Sequence, residues 1–189
     1  HRVLYVSHYQ NKWKQRNGDL KRFQLLQPPK VSSLPAETLT VAESLQKAGY
    51  ATAMFGKWHL GKNDQHPGKR GFDVAIESAG KHFGFETDPH VEHEPDQYLS
   101  DFLAEHAVKF IKQSHTANKP FFLYFPSQVP HGRSPRDGDE IQVPDIGPYG
   151  DRPWTHLEKL YAAIDGSDFY ANPVELASRS LMNVPFTLA

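Results

Sequence analysis

The stretch Gly49-Tyr50-Ala51-Thr52-Ala53-Met54-Phe55-Gly56-Lys57-Trp58-His59-Leu60-Gly61 decides how the rest of the chain is read. Residues 50 to 55 are apolar and β-prone and Gly56 breaks the run, so the segment predicts a strand that ends in a turn. Lys57 and His59 come directly after the break. They place a point charge and a titratable imidazole where the backbone leaves the sheet, the edge at which open α/β sheets bind ligands. Two cationic donors two residues apart suit an anionic group such as sulfate or phosphate. Gly56 and Gly61 permit close approach of backbone to a ligand, and Trp58 between the two donors is assigned to packing.

Working outward, Thr38 or Thr40 caps a helix that runs through Ala48, with Leu39, Ala42, Leu45 and Ala48 at helical spacing and Gly49 as its stop. Residues 61 to 95 form a long Gly-, His- and Pro-rich connection, read as a site-forming loop or an insertion. Asp96 starts a second helix to about Ser114, with Tyr98, Phe102, Ala107, Phe110 and Ile111 on its apolar face. Phe121 to Phe125 is a continuous apolar run, the pattern of a strand covered on both faces. Residues 131 to 154 are rich in Pro, Gly, Asp and Arg and read as a surface loop. Thr155 to Ile164 is a helix with Leu157, Leu160, Tyr161 and Ile164 on its buried side. Helices alternating with buried strands predict an α/β fold, a parallel or mixed sheet flanked by helices.

The same residues carry a family resemblance. Gly56-Lys57-Trp58-His59-Leu60-Gly61 closely resembles the second signature of the type I sulfatases, members of the alkaline phosphatase-like superfamily. Leu34 to Leu45 is similar to the helix that precedes that signature, and Gly71-Phe72-Asp73 to its Gly-Phe-Asp turn. Lys119 to Phe125 followed by Pro130-His131 resembles the strand that presents a further active-site histidine. The agreement keeps the family's order from Val31 to Ile164. The resemblance implies part of a sulfatase catalytic domain, built on a largely parallel sheet, whose complete enzyme hydrolyses a sulfate ester. It implies that Lys57, His59 and His131 hold the ester or assist departure of the alcohol. The implied substrate is a sulfated small molecule or glycan, and the implied cofactors are calcium and a formylglycine whose hydrate attacks sulfur.

Against the family pattern the chain has departures. It has no cysteine, which removes disulfides and thiolate metal sites, and it contains neither Cys-x-Pro-x-Arg nor Ser-x-Pro-x-Arg, the motif that becomes formylglycine. Ser134-Pro135-Arg136 has the wrong spacing and follows the strand. No aspartate pair for calcium stands near His1, and Asp165-Gly166-Ser167-Asp168 departs from the family's continuation of the last helix. No nucleophile or metal ligand is therefore assigned. The expectation is one partial catalytic domain over residues 1–189, family-like from about 31 to 164 with an atypical tail over 165–189, and without turnover by itself. The alternatives are a phosphoesterase of the same superfamily and a non-catalytic relative that binds anions or nucleic acid.

Composition sets the outer bounds. With 189 residues, 38% hydrophobic and 12% aromatic, the chain can bury one sizeable core. Its net charge is -1, but residues 1 to 36 hold seven Lys or Arg against the single acid Asp19. In that basic arm Trp13 and Phe23 interleave with Lys12, Lys14, Arg16, Lys21 and Arg22, a pattern compatible with single strands, although the expected partners include neither nucleic acid nor membrane. The other candidate is His90-Val91-Glu92-His93-Glu94, whose residue types suit zinc. Pro89 and Pro95 bracket it, and in extended backbone the two histidines point to opposite faces. Compartment is left open, with family habit favouring the periplasm or the cell exterior.

Overall fold

The computed structural model describes residues 33–79, 81–129 and 142–170. Within them a mixed sheet of four strands has the order β3-β2-β1-β4, where β1 is Ala51–Gly56, β2 Val74–Ala79, β3 Glu86–Asp88 and β4 Phe121–Tyr124. β1 pairs parallel with β2, through Ala53 opposite Val74 and Gly56 opposite Glu77, and with β4, through Ala51 opposite Phe121. β3 runs antiparallel to β2 with Glu77 opposite Asp88. Helix α1 is Val41–Lys47, α2 is Leu99–Thr116 and α3 is His156–Tyr170.

The first helix forms where its caps dictate. Thr40 accepts the Glu43 N–H at 3.0 Å while the Glu43 carboxylate accepts the Thr40 N–H at 2.7 Å, a reciprocal capping box. At the other end Gly49 takes φ +89°, its N–H reaching the Gln46 carbonyl and that of Tyr50 the Leu45 carbonyl, so the helix turns straight into β1. The expected apolar face is narrower than its spacing suggested. Ala42 is buried, but Leu39 precedes the helix and is 61% exposed, and Ala48 is exposed past its end.

The sheet separates two clusters because alternate strand residues face opposite sides. Ala53, Phe55 and Ile76 pack under α2 against Leu99, Phe102, Leu103, Ala107 and Phe110. Met54, with Ala75 and Phe122, packs on the other side against Ala42, Trp58 and Phe72. Phe55 and Phe102 are almost wholly buried, and burial of side chains this size stabilises by about 1.5–3 kcal/mol each. Helix α2 starts at Leu99 and not at Asp96, because the Gln97 N–H closes a turn on the Glu94 carbonyl first. The His82 carbonyl then accepts the Leu99 N–H at 2.8 Å, satisfying one of the donors a helix start leaves over.

Three expectations need correction. The connection over 61–95 is not one loop: it holds β2 and β3, whose strand character was masked by polar Glu77 and Ser78 and by the surrounding Gly, His and Pro. β4 is not covered on both faces, since it lies at the edge of the described sheet with Phe121 40% and Tyr124 42% exposed. Helix α3 buries Leu160, Ala163 and Ile164, whereas Leu157 and Tyr161 face solvent, and its backbone stays helical through residues 165–168 to Tyr170. No helix among the described residues is long and apolar enough to cross a membrane.

Candidate anion-binding site

The residues after β1 are fixed by main-chain contacts. Gly56 has φ +130°, and a Cβ there would lie 2.2 Å from the Pro126 carbonyl oxygen. That same oxygen accepts the Lys57 N–H at 3.0 Å. The exit of β1 is thereby clamped to the segment following β4, and both leave the sheet at the carboxyl ends of parallel strands. Both glycines meet tight internal packing: a Cβ on Gly61 (φ +132°) would come 2.6 Å from Gln65 Cβ and 2.9 Å from Ser33 Cβ.

Trp58 is buried as expected, edge-on to Phe72 with ring centroids 5.9 Å apart, and its Nε1–H donates to the Gln65 carbonyl at 2.6 Å. Lys57 on one side of it is half-buried and His59 on the other is exposed. His59 sits at φ +56°, a left-handed conformation that is uncommon for a residue other than glycine. His131 lies outside the described residues, as do the basic arm and Arg133 and Arg136 of the following loop. Gln128 and Val129, a few residues before His131, are buried in the segment that follows β4.

Behind this edge stands a scaffold that sequence reasoning only partly found. The turn at Gly71-Phe72-Asp73 is stapled to β1 and α1. The Thr52 hydroxyl donates to the Gly71 carbonyl at 2.7 Å and accepts the Asp73 N–H at 3.0 Å, while the Asp73 carboxylate accepts the Thr52 N–H at 3.0 Å and the Gln46 amide at 2.7 Å. Burial alone would raise the Asp73 carboxyl, but those hydrogen bonds outweigh it and hold the carboxyl below its ordinary range. Arg70, 4% exposed, was missed altogether. Its Nε meets the Glu43 carboxylate at 2.9 Å and its other nitrogens donate to the Gln65 side chain and the Thr38 carbonyl. The available signal was Glu43 itself, an acid at the third position of a capping box with a basic residue directly before the Gly-Phe-Asp turn.

Beside His59 lies a second group of polar residues that the sequence did not announce. His66, Glu77 and Asp88 bring one ligand-type atom each within 4.8 Å of one another. Burial pushes the Glu77 carboxyl up; His66 draws it down, Asp88 adds to the rise, and the His59 backbone N–H and Lys62 also favour its charged form. The His66 Nδ1 accepts the Gly68 N–H at 3.1 Å, so the ring proton of the neutral side chain sits on Nε2, 3.3 Å from the Asp88 carbonyl and 3.9 Å from its carboxylate. That nitrogen acts as a donor and offers no lone pair to a cation. Calcium seeks six to eight oxygen ligands, so this group does not fit the ion that the resemblance implies, and no step is derived through it. The pair His90 and His93 is no better as a metal site. His90 bonds Glu92 at 3.1 Å, while His93 stacks on Phe85 with centroids 4.0 Å apart and turns both ring nitrogens to the carbonyls of Phe85 and Glu94.

An α/β sheet with a Lys-Trp-His turn clamped at the carboxyl ends of its parallel strands puts the candidate residues at the edge where open α/β sheets bind ligands. Residues 10–171 match the family model described as Sulfatase. The chain belongs to the sulfatase family. It is 29% identical over 144 residues to N-acetylgalactosamine-6-sulfatase of Canis lupus familiaris, covering 64% of this chain and 28% of that protein. It is 32% identical over 149 residues to arylsulfatase G of Rattus norvegicus, covering 58% of this chain and 28% of the relative. The chain thus spans under a third of the length of these relatives. Among solved structures, Ps i-CgsB in complex with k-i-k-neocarrahexaose superimposes with a TM-score of 0.66 at 23% identity, covering 79% of this chain and 38% of that one, which supports the fold.

Proposed function

We propose that this chain supplies the sulfate-holding edge of a sulfuric ester hydrolase. The observation that carries the reading is the Gly56-to-Gly61 turn, held by the Pro126 carbonyl at the carboxyl end of a parallel sheet in a chain of the sulfatase family. Lys57, half-buried, supplies a fixed positive charge to the non-bridging oxygens of the ester. His59 supplies an imidazole donor that orients the group and can hydrogen-bond the departing alcohol oxygen. His131, which follows β4 in the chain, is assigned as the third such residue on the family pattern. In the overall reaction the sulfur–oxygen bond to the alcohol breaks and water becomes the final acceptor of the sulfuryl group, yielding alcohol and inorganic sulfate. Relatives named for N-acetylgalactosamine 6-sulfate and for aryl sulfates favour a sulfated small molecule or sugar as substrate.

Formylglycine and calcium belong to the complete enzyme in this reading, and the present chain is part of a larger catalytic domain. Titration of the purified chain with inorganic sulfate tests the binding role. Charge-assisted hydrogen bonds contribute about 1.5–3 kcal/mol, so Lys57→Ala should weaken sulfate binding by roughly 10- to 150-fold. Equal affinity in wild type and variant would sink the assignment. An aryl sulfate should not be turned over by the chain alone.

A further inference from the structure

The His66, Glu77 and Asp88 group lies outside any role described so far. Its members come from three elements: His66 from the turn between two short 3-10 segments, Glu77 from the carboxyl end of β2, and Asp88 from β3. Glu77 is the register partner of Gly56 on one side and of Asp88 on the other, so it stands between the β1 exit and the acidic edge strand. Ala75 and Glu77 share one face of β2, and Ala75 packs in the cluster of Trp58, the residue that precedes His59. His59 itself holds the left-handed φ of +56° without being glycine, a conformation that persists only where surroundings impose it.

We propose that Glu77 is a positioning residue for His59: its carboxylate, grouped with His66 and Asp88 beside the β1 exit, accepts the His59 backbone N–H and holds the left-handed turn that presents the imidazole at the sheet edge. His66, with Nδ1 committed to the Gly68 N–H, donates from Nε2 toward Asp88 and adds a polar N–H beside the two carboxylates that the β2–β3 register sets opposite each other. Lys62 completes the charged groups around Glu77. The negative charge also makes the turn sensitive to acid, because protonating Glu77 weakens its grip on the N–H that it accepts. Sequence gives no hint of this, since Glu77 lies in a strand hidden within a loop-like stretch.

The inference rests on the reading of His59 as an anion-holding residue, and the test separates the two. In the full chain, the His59 amide proton would be followed by NMR against pH together with the Glu77 carboxyl carbon. In wild type the two should titrate with one midpoint. Glu77→Gln, nearly isosteric and still an acceptor, should abolish the amide titration and keep sulfate affinity within about threefold. Glu77→Ala should speed His59 amide exchange by about tenfold or more and weaken sulfate binding by a similar factor, while amides in α2 stay unchanged. A His59 amide that stays flat while Glu77 titrates, or an Ala variant with unaltered His59 exchange, overturns the proposal. Shared titration in a chain that binds no sulfate would support the positioning and remove the anion reading instead.

Discussion

Gly56 shows how much of the site is decided at single residues. Any side chain there would have to occupy space 2.2 Å from the Pro126 carbonyl oxygen and adopt φ +130°, a region that L-residues rarely visit. Gly56→Ala should therefore lose at least about 2 kcal/mol of stability in chemical denaturation and lose sulfate binding with it. Arg70 is the electrostatic counterpart. Deleting its side chain removes the counter-charge of the half-buried Glu43 carboxylate, which keeps only the Thr40 N–H, and the donor to the Gln65 amide oxygen, and Arg70→Ala should cost about 3–5 kcal/mol, read from the same denaturation curves. The placement of Lys57 and His59 at the exit of β1 was legible because glycine, lysine, tryptophan and histidine sit consecutively in chain order after an apolar run. Arg70 and Glu77 were not, because their roles depend on partners 27 residues away along the chain or across a strand register.

At the scale of elements, α1 depends on its cap more than on its buried face, which is little more than Ala42. Thr40→Ala removes both the bond to the Glu43 N–H and the Thr40 hydroxyl's bond to the Arg70 carbonyl at 2.9 Å. The expected loss is about 1–2 kcal/mol, measured as a shift of the denaturation midpoint. This helix and β1 were readable with near-correct limits, since Thr40, Gly49 and Gly56 punctuate them. β2 and β3 were hidden for the opposite reason. β3 is a short edge strand, β2 carries polar residues at its carboxyl end, and they are defined by the ladders of β2 to β1 and of β3 to β2 rather than by any local period. The starts of α2 and α3 are set by a turn at 94–97 and by a capping box between Thr155 and Glu158, which outcompete the hydrophobic pattern.

For the whole molecule, two carboxylates set opposing responses to acid. Asp73 is held below its ordinary range when folded, so it stabilises the fold above the carboxylate range and that contribution is lost as pH falls through its folded value. Glu77 is raised by burial, so its ionised form costs stability at neutral pH and the cost is relieved as pH falls through its elevated value. Glu77→Gln should therefore melt higher than wild type at pH 7, with the two curves merging once both folded and unfolded Glu77 are protonated. Asp73→Asn should melt lower at pH 7 and converge in the same direction. Thermal melts at several pH values check both, and a Glu77→Gln variant that melts lower at pH 7 would contradict the assigned sign. The clamp between the Lys57 N–H and the Pro126 carbonyl has a consequence of another kind. It joins main chain to main chain, so once Gly56 leaves room for it, the alignment of the two exits is encoded by chain length and not by the side chain at position 126. Substitutions at position 126 should be absorbed, whereas inserting or deleting one residue between Tyr124 and Pro126 would put the carbonyl out of step and release the turn.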